Sequence, residues 1–263
     1  MRLFFRKEGI YYLKSFLFAL QHLTGLPAPR MPFDEVSCGR ATVFFPVAGA
    51  LLGAIMAAVV WAAGPYLSLQ LQASLLIFIL VVLTGGIHLD GFMDSIDGLF
   101  SGRPREKKLE IMRDSRVGAF GVIGAICLLL LKFNLFAGIP NPVLIKLLIV
   151  VPTLSRWNMS FAVVVFPYAR REGLGTIYKK YSGIKELIWA TIFAAVVAGI
   201  VLGIYGAILM VLGAVFTYLT GRKITKELGG LTGDIYGFIN ELSEVILLLA
   251  AYPLLKIVSV VSL

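Results

Sequence analysis

The sequence predicts an all-α protein, a polytopic bundle with about seven transmembrane helices and an N-terminal helix at the membrane interface. Two compositional observations support this: 59% of the 263 residues are hydrophobic and only 15% are charged. Soluble domains are about 45–50% apolar and about 25% charged. The third observation is that apolar segments of about 20 residues, enough to cross the hydrocarbon core, recur along the chain.

The first element is a helix at residues 9–24, which we expect to lie along the membrane surface because Lys14 interrupts its apolar stretch. Pro27 and Pro29 end it. No small-residue cleavage site follows, which argues against a removable signal peptide. The turn near Gly203–Gly206 is the least defined boundary, so about six to eight spans agree with the pattern. The predicted spans are 41–63, 70–89, 117–138, 143–167, 187–204, 205–220 and 236–260.

Basic residues give these spans an orientation. With the N-terminus in the cytoplasm, the outward segments 64–70, 139–142 and 203–206 carry no charge. The inward segments hold 20 of the 24 Lys and Arg residues and are 1–40, 90–116, 170–186 and 221–235. The positive-inside rule predicts this asymmetry, so we expect a multi-pass protein of the cytoplasmic (inner) membrane. The net charge of +9 is therefore attributed to orientation, and nucleic acid is not an expected partner.

The chain shows no repeat and no linker, so we expect a single integral-membrane catalytic domain over residues 1–263. Two small-xxx-small pairs, Gly49/Gly53 and Gly199/Gly203, are interpreted as packing positions within the bundle. An oligomer is compatible with the sequence, which does not specify one. The positive-inside rule leaves one feature unexplained, because all 15 acidic residues also fall on the inward side or close to it.

The most distinctive acidic feature is a stripe of three aspartates directly after the second span. On a helix Asp90, Asp94 and Asp97 fall within an arc of roughly 60° and about 10 Å of axis. Three carboxylates on one stripe repel one another unless a cation lies among them. Mg²⁺ prefers oxygen ligands and takes one or two carboxylates together with water and substrate phosphate. The sequence therefore predicts a magnesium site held by these three residues.

The alternative is that the three aspartates are solvated loop residues. Against it stand the apolar residues between them and their position against a membrane span, where ionisable groups indicate function. The helical arithmetic turns His88 to the opposite face, so we interpret it as a structural histidine. Gly91 and Gly98 remove side chains where a bulky ligand is expected to approach.

A basic segment follows, and EKKLEIMRDSR (106–116) is predicted as one amphipathic helix. Arginine matches phosphate oxygens through its planar fork. Arg103, Arg113 and Arg116 are therefore candidate phosphate ligands, whereas Arg105 and its two neighbouring lysines fit orientation or anionic lipid better. No GxxxxGK[ST] loop, HExxH or GxSxG motif is present, so phosphate must be bound by metal and side chains.

A second polar segment, GGLTGDIYGFINELSE (229–244), leads into the last span. Asp234 is a candidate catalytic carboxylate, and Asn240 and Glu241 are candidate substrate ligands. Two acidic segments on one side of a bundle suggest that they enclose a single substrate. Arg156 inside the fourth span is expected to pair with one of the acidic residues, in a structural or a catalytic role.

These segments resemble the adenosylcobinamide-GDP ribazoletransferase (cobalamin synthase) family. The resemblance covers nearly the whole chain, with a looser match at LTGLPAPR (23–30). The matching segments are HLDGFMDSIDGLFSG (88–102), LEIMRDSRVGAFG (109–121), REGLG (171–175) and the 229–244 segment. It implies an integral membrane enzyme that uses Mg²⁺ to join α-ribazole, or its 5′-phosphate, to adenosylcobinamide-GDP with release of GMP.

The resemblance also implies roles for individual residues. Asp90, Asp94 and Asp97 would hold the metal on the diphosphate, with Asp94 central to catalysis, and Arg113 and Arg116 would neutralise phosphate oxygens. The attacking hydroxyl must lose a proton, so a carboxylate base is needed. Asp114 and Asp234 are the candidates, and the sequence does not choose between them.

Two other functions remain open at this point. DSIDG (94–98) is similar to the DxxDG opening of CDP-alcohol phosphotransferases, although the following SGR departs from their pattern. That makes a phospholipid synthase the second candidate enzyme. An ion-coupled transporter is less favoured, because its acidic residues are expected near the centre of the bilayer and these lie at one border.

Overall fold

The computed structural model describes the backbone of residues 2–29 and 31–261 and the side chains of residues 11–29 and 31–252. Within these residues the only extended pairing is one isolated bridge between Tyr168 and Leu231. The all-α prediction is confirmed. The helices are α1 (Arg2–Leu23), α2 (Glu35–Gly39), α3 (Phe45–Ala63), α4 (Leu69–Thr84), α5 (Ile87–Phe100), α6 (Arg105–Ile111), α7 (Ala119–Gly138), α8 (Asn141–Val165), α9 (Leu174–Tyr181), α10 (Ile184–Leu202), α11 (Ile204–Leu228) and α12 (Gly233–Val261).

Six helical segments in the described ranges are long and apolar enough to span a membrane, and α4 with α5 makes a seventh if the pair is one bent span. The predicted polytopic bundle is therefore confirmed. The central helix is α8, which packs against α3, α10, α11 and α12. Its contact with α3 is close because Gly49 and Gly53 have no side chains; a methyl group at Gly53 would lie 2.9 Å from the Ile149 Cα.

The second span differs from the prediction at its inner end. The sequence suggested one helix from residue 70 to the aspartates, but α4 ends at Thr84 and α5 leaves it at 91°. Gly85 and Gly86, with φ of 61° and 72°, make the turn. These left-handed conformations cost glycine no steric strain. The aspartates therefore lie on a separate helix that runs across the end of the bundle.

Two of the loops that were predicted to share one side of the membrane, 64–70 and 139–142, are joined by a hydrogen bond. Gln72, beside the first of these loops, donates through Nε2 to Asn141 Oδ1 at 2.8 Å. The uncertain turn between the fifth and sixth spans lies at Gly203, whose φ is 58°. From there α11 continues to Leu228, two turns beyond the predicted end at residue 220.

Candidate functional site

A cavity of about 670 Å³ opens at the end of the bundle where the predicted inward segments meet. Residues of α1, α3, α5, α8, α9 and α12 line it, together with the α6–α7 loop and the α8–α9 loop. Its charged lining residues are Asp90, Arg113, Arg170, Glu172 and Asp234. Four separate segments of the sequence thus contribute charges to one concave site, as enzyme active sites require.

Close packing of α5 on α12 places Asp90 and Asp234 in the same wall. A methyl group at Gly91 would lie 3.0 Å from the Asp234 carbonyl oxygen, and one at Gly237 would lie 3.0 Å from the His88 carbonyl oxygen. Side chains at these two glycines would push the helices apart. Gly91 therefore serves mainly helix packing, and the space beside Gly98 is filled by Met112, so the prediction that these glycines leave room for a ligand is wrong for Gly98.

Asp94 lies one helical turn after Asp90 and is half-buried. The charged groups that act on it electrostatically are Asp90, Asp97, Asp234 and Arg170. The structure thus brings the α5 carboxylates and Asp234 into one electrostatic group. Such a concentration of negative charge favours a bound cation.

Asp97 has a structural contact that the sequence analysis did not identify. Its two carboxylate oxygens accept hydrogen bonds from the backbone N–H groups of Gly118, at 2.9 Å, and Gly121, at 2.8 Å. The first N–H groups of a helix have no acceptor within the helix, and a carboxylate that binds them acts as a helix cap. Asp97 therefore fixes α7 to α5, while its role as a metal ligand stays a prediction.

The carboxylates suit a metal ion that takes only some of its ligands from the protein and the others from the substrate and water. Among the residues that the structure describes, no three His, Cys, Asp or Glu side chains form a ready metal-binding group. Mg²⁺ usually takes only one or two carboxylates and completes its shell with water and phosphate oxygens. Asp90 provides hard oxygen donors of this kind in the cavity lining, and Asp94 provides them one helical turn further along α5, outside the lining.

Arg170 is a charged residue of the cavity lining that the sequence analysis missed. Its Nη2 donates to Asp234 Oδ2 at 2.6 Å. The Tyr168–Leu231 bridge holds it there, since Ala169 N donates to the Leu231 carbonyl oxygen at 2.8 Å. The signal was its position directly before the REGLG segment, two residues from the cavity residue Glu172.

The predicted arginine ligands occupy different positions. Arg113 lines the cavity, whereas Arg103 and Arg116 are exposed and do not contribute to its lining. Arg116 instead pairs with Asp114 at 2.6 Å, and its backbone N–H donates to Asp114 Oδ1 at 3.1 Å. This local turn competes with the helix, so α6 ends at Ile111 and the predicted helix over 106–116 is too long.

The same ion pair determines the acidity of Asp114. Hydrogen bonds from the Arg116 side chain and backbone lower the pKa of the Asp114 carboxyl to about 2. A carboxylate with so low a pKa is a weak proton acceptor. Asp114 also does not line the cavity, so the geometry favours Asp234 between the two candidate bases.

Asn240 and Glu241 lie within the bundle rather than in the cavity lining. Lys132 of α7 donates to Glu241 and to Glu244, each at 2.6 Å, and Arg156 pairs with Glu244. Asn240 Nδ2 is 3.4 Å from Glu241 Oε1. The predicted pairing of Arg156 with an acidic residue is confirmed. Lys132 was not anticipated, because a single lysine in an apolar span gives no partner in the sequence.

Comparisons with known proteins show the family to which this chain is related. The family model described as cobalamin-5-phosphate synthase matches residues 15–252. Three relatives are named adenosylcobinamide-GDP ribazoletransferase. The protein from Roseiflexus sp. (strain RS-1) is 41% identical over 88% of this chain and 86% of its own length. The Desulfitobacterium hafniense (strain Y51) protein is 40% identical and that of Acetivibrio thermocellus 37%, each over 92% of this chain and 98% of the relative.

No solved structure shows a significant match to this chain. The family model covers the α5 aspartates, the basic loop, the Arg170 loop and the start of α12, which supply the charged residues of the cavity lining. The comparisons do not favour a phospholipid synthase or a transporter. The chain belongs to the cobalamin-5-phosphate synthase family.

Proposed function

We propose that this chain transfers the adenosylcobinamide-phosphate group of adenosylcobinamide-GDP to α-ribazole or α-ribazole 5′-phosphate, with release of GMP. The observation that carries the proposal is the cavity, in which a member of this family combines carboxylates with Arg113 and Arg170. These are the groups that a phosphoryl transfer between an alcohol and a diphosphate requires. The products are GMP and adenosylcobalamin, or its 5′-phosphate.

The reaction forms one bond and breaks another at a single phosphorus atom. A ribose hydroxyl of the acceptor attacks the phosphorus that is attached to the cobinamide. The bond from that phosphorus to the bridging oxygen breaks, and GMP leaves with the electron pair. The hydroxyl proton passes to Asp234, which is the one of the two candidate bases that lines the cavity.

Arginines at the mouth stabilise the charge on the phosphates. Arg113 lines the cavity and is exposed, so it is placed to pair with a phosphate oxygen. Arg170, which also lines the cavity, orients Asp234 through their ion pair. Neutralisation of this kind stabilises the leaving GMP.

Mg²⁺ is the expected cofactor. Asp90 and Asp94 would hold it. Asp97 is the third predicted ligand, and its two oxygens also accept hydrogen bonds from the start of α7. Once bound, such an ion neutralises phosphate charge and aligns the diphosphate. The carboxylate oxygens of Asp90 and Asp94 are the hard donors that Mg²⁺ prefers, which supports this choice.

The position in the cell follows from the charge distribution. The first two uncharged loops meet through the hydrogen bond between Gln72 and Asn141, outside the lining of the charged cavity. By the positive-inside rule the cavity faces the cytoplasm, so we infer a cytoplasmic-membrane enzyme whose active site faces inward.

The test is a turnover assay on the detergent-purified protein with adenosylcobinamide-GDP, α-ribazole and Mg²⁺, in which GMP and the cobamide product are measured. Wild type should release both in equal amounts. Asp234→Asn should lower kcat roughly 100- to 10,000-fold, the usual effect of a catalytic base. Asp114→Asn is the matched control outside the cavity, and a loss as large as that of Asp234→Asn would refute the assignment of the base.

A further inference from the structure

The inner end of the cavity differs in chemistry from its mouth. The charged lining residues Asp90, Arg113 and Glu172 are exposed to solvent. Further inside, each lining side chain is at most 5% exposed: Phe45, His88, Met159 and Tyr178. A ligand that fills the cavity therefore needs a charged part and an apolar part.

Aromatic rings form most of this inner end. Tyr178 packs edge-on against Phe45, with ring centroids 5.5 Å apart and planes at 88°. The His22 ring lies 5.8 Å from the same tyrosine. Across the cavity Tyr168 and Tyr236 are stacked at 6.4 Å. Rings that present both edges and faces bind planar aromatic groups well.

Two buried polar atoms of the lining have no hydrogen-bonding partner among the described residues. They are His88 Nε2 and Tyr236 Oη, and each residue is only 3% exposed. Buried polar atoms nearly always have a partner, so an orphaned pair in a cavity indicates a ligand that carries a heteroatom. An imidazole nitrogen donates or accepts according to its tautomer, and a phenol does both.

The ligand is one of the two nucleosides in the proposed reaction. A corrin macrocycle with its side chains is too large for a cavity of about 670 Å³, whereas a nucleoside fits. Guanine carries donors and acceptors along most of its edge and would leave several of them unpaired between Phe45 and Met159. The fused base of ribazole has one free ring nitrogen, and the rest of its surface is apolar.

We propose that the inner end of the cavity binds the heteroaromatic base of the acceptor nucleoside, and that His88 recognises its free ring nitrogen. This inference rests on the proposed function and adds the binding site of one substrate. The base packs among Phe45, Met159 and Tyr178 while the ribose points outward. Its hydroxyls then lie toward Asp90 and Asp234, where the phosphates bind. His88 is thus a specificity-determining residue.

The experiment compares two acceptors in the complete enzyme. One is α-ribazole, and the other is the matching indole nucleoside, in which the free ring nitrogen is replaced by C–H. Wild type should prefer α-ribazole by roughly tenfold in kcat/KM, the effect of one hydrogen bond. His88→Leu should remove this preference by slowing only the α-ribazole reaction. His88→Gln keeps an N–H donor and should retain part of the preference, and the KM for adenosylcobinamide-GDP should not change in either variant.

Four results are decisive. Equal preference for α-ribazole in wild type and His88→Leu would overturn the base site while leaving the transfer reaction intact. An increase in the KM for adenosylcobinamide-GDP, with that for α-ribazole unchanged, would place guanine at His88 and equally overturn it. If His88→Leu does not fold, the wild-type comparison of the two acceptors decides, because an enzyme that accepts both equally makes no contact with the ring nitrogen. Absence of GMP release by wild type would instead refute the proposed function.

Discussion

Lys132 carries a positive charge that is buried in the bundle between two glutamates. Its side chain lies within α7, the residue is 1% exposed, and its Nζ contacts Glu241 and Glu244 at 2.6 Å each. With Arg156 the cluster has two positive and two negative charges and is neutral. Lys132→Met leaves one uncompensated negative charge in an apolar environment. Removing one partner of a buried ion pair costs about 3–5 kcal/mol, so we expect a loss of that size in the free energy of unfolding.

A double variant tests the charge argument itself. Glu241→Gln alone leaves an uncompensated positive charge, but Lys132→Met combined with Glu241→Gln restores neutrality, with Arg156 and Glu244 still paired. The double variant should therefore be more stable than the sum of the single losses by about 1–3 kcal/mol. Unfolding by SDS in mild detergent micelles gives these energies. Lys146→Met, which removes an exposed lysine of α8, is the control and should change stability by less than about 0.5 kcal/mol. Strictly additive losses would refute the reasoning.

Three further predictions concern the segments around the cavity. Asp97→Ala removes both acceptors for the start of α7 and should lower the free energy of unfolding by about 2–4 kcal/mol in the same assay. Asp97→Asn keeps one acceptor and should lose less. Equal stability of Asp97→Ala and wild type would contradict the cap. Gly86→Ala should lower the free energy of unfolding by about 1–2 kcal/mol, because its φ is 72° and the space around it is open, so only backbone strain acts. Gly199→Ala, in open space within α10, should be neutral or stabilising. Similar effects of the two substitutions would contradict the left-handed turn. The Asp114 carboxyl should titrate near pH 2 by NMR and return toward 3.8 in Arg116→Ala. Because its pKa is lowered on folding, the ion pair should stabilise the loop above about pH 4 and lose this effect as the pH falls through 2; an unshifted titration would exclude the pair.

Much of the fold followed from the sequence because hydrophobic length and charge asymmetry are local signals. The spans and the contact of Gly49 and Gly53 with α8 both depend on short stretches. The interpretation of Gly199 and Gly203 as packing positions is wrong, because a methyl group at either glycine would lie in open space. The bend between α4 and α5 was missed, although Gly85-Gly86 stands at it, because two glycines in an apolar run also fit a continuous span. The end of α6 was missed because the Asp114 side chain competes with the helix through one local hydrogen bond.

The sequence predicted those site residues whose type alone indicates their chemistry. It missed those whose position depends on contacts with residues far away in the sequence. Asp90, Arg113 and Asp234 line one cavity, as expected for an acidic and basic site. Arg170 was overlooked because its position depends on a bridge between residues 168 and 231. His88 was assigned to the opposite face by helical periodicity, yet it lines the same cavity, since the walls of a cavity are built by several helices.

The central claim is that carboxylates of α5 hold a divalent cation on the substrate diphosphate. Mn²⁺, a spectroscopic substitute for Mg²⁺, tests it most directly when its binding to the purified protein is measured by electron paramagnetic resonance with GDP present. Wild type should bind the ion with GDP, and Asp90→Asn and Asp94→Asn should each weaken binding at least tenfold, about 1.4 kcal/mol. Glu172→Gln, which removes a cavity carboxylate that does not belong to α5, is the matched control. Unchanged Mn²⁺ affinity in both α5 variants would contradict the account.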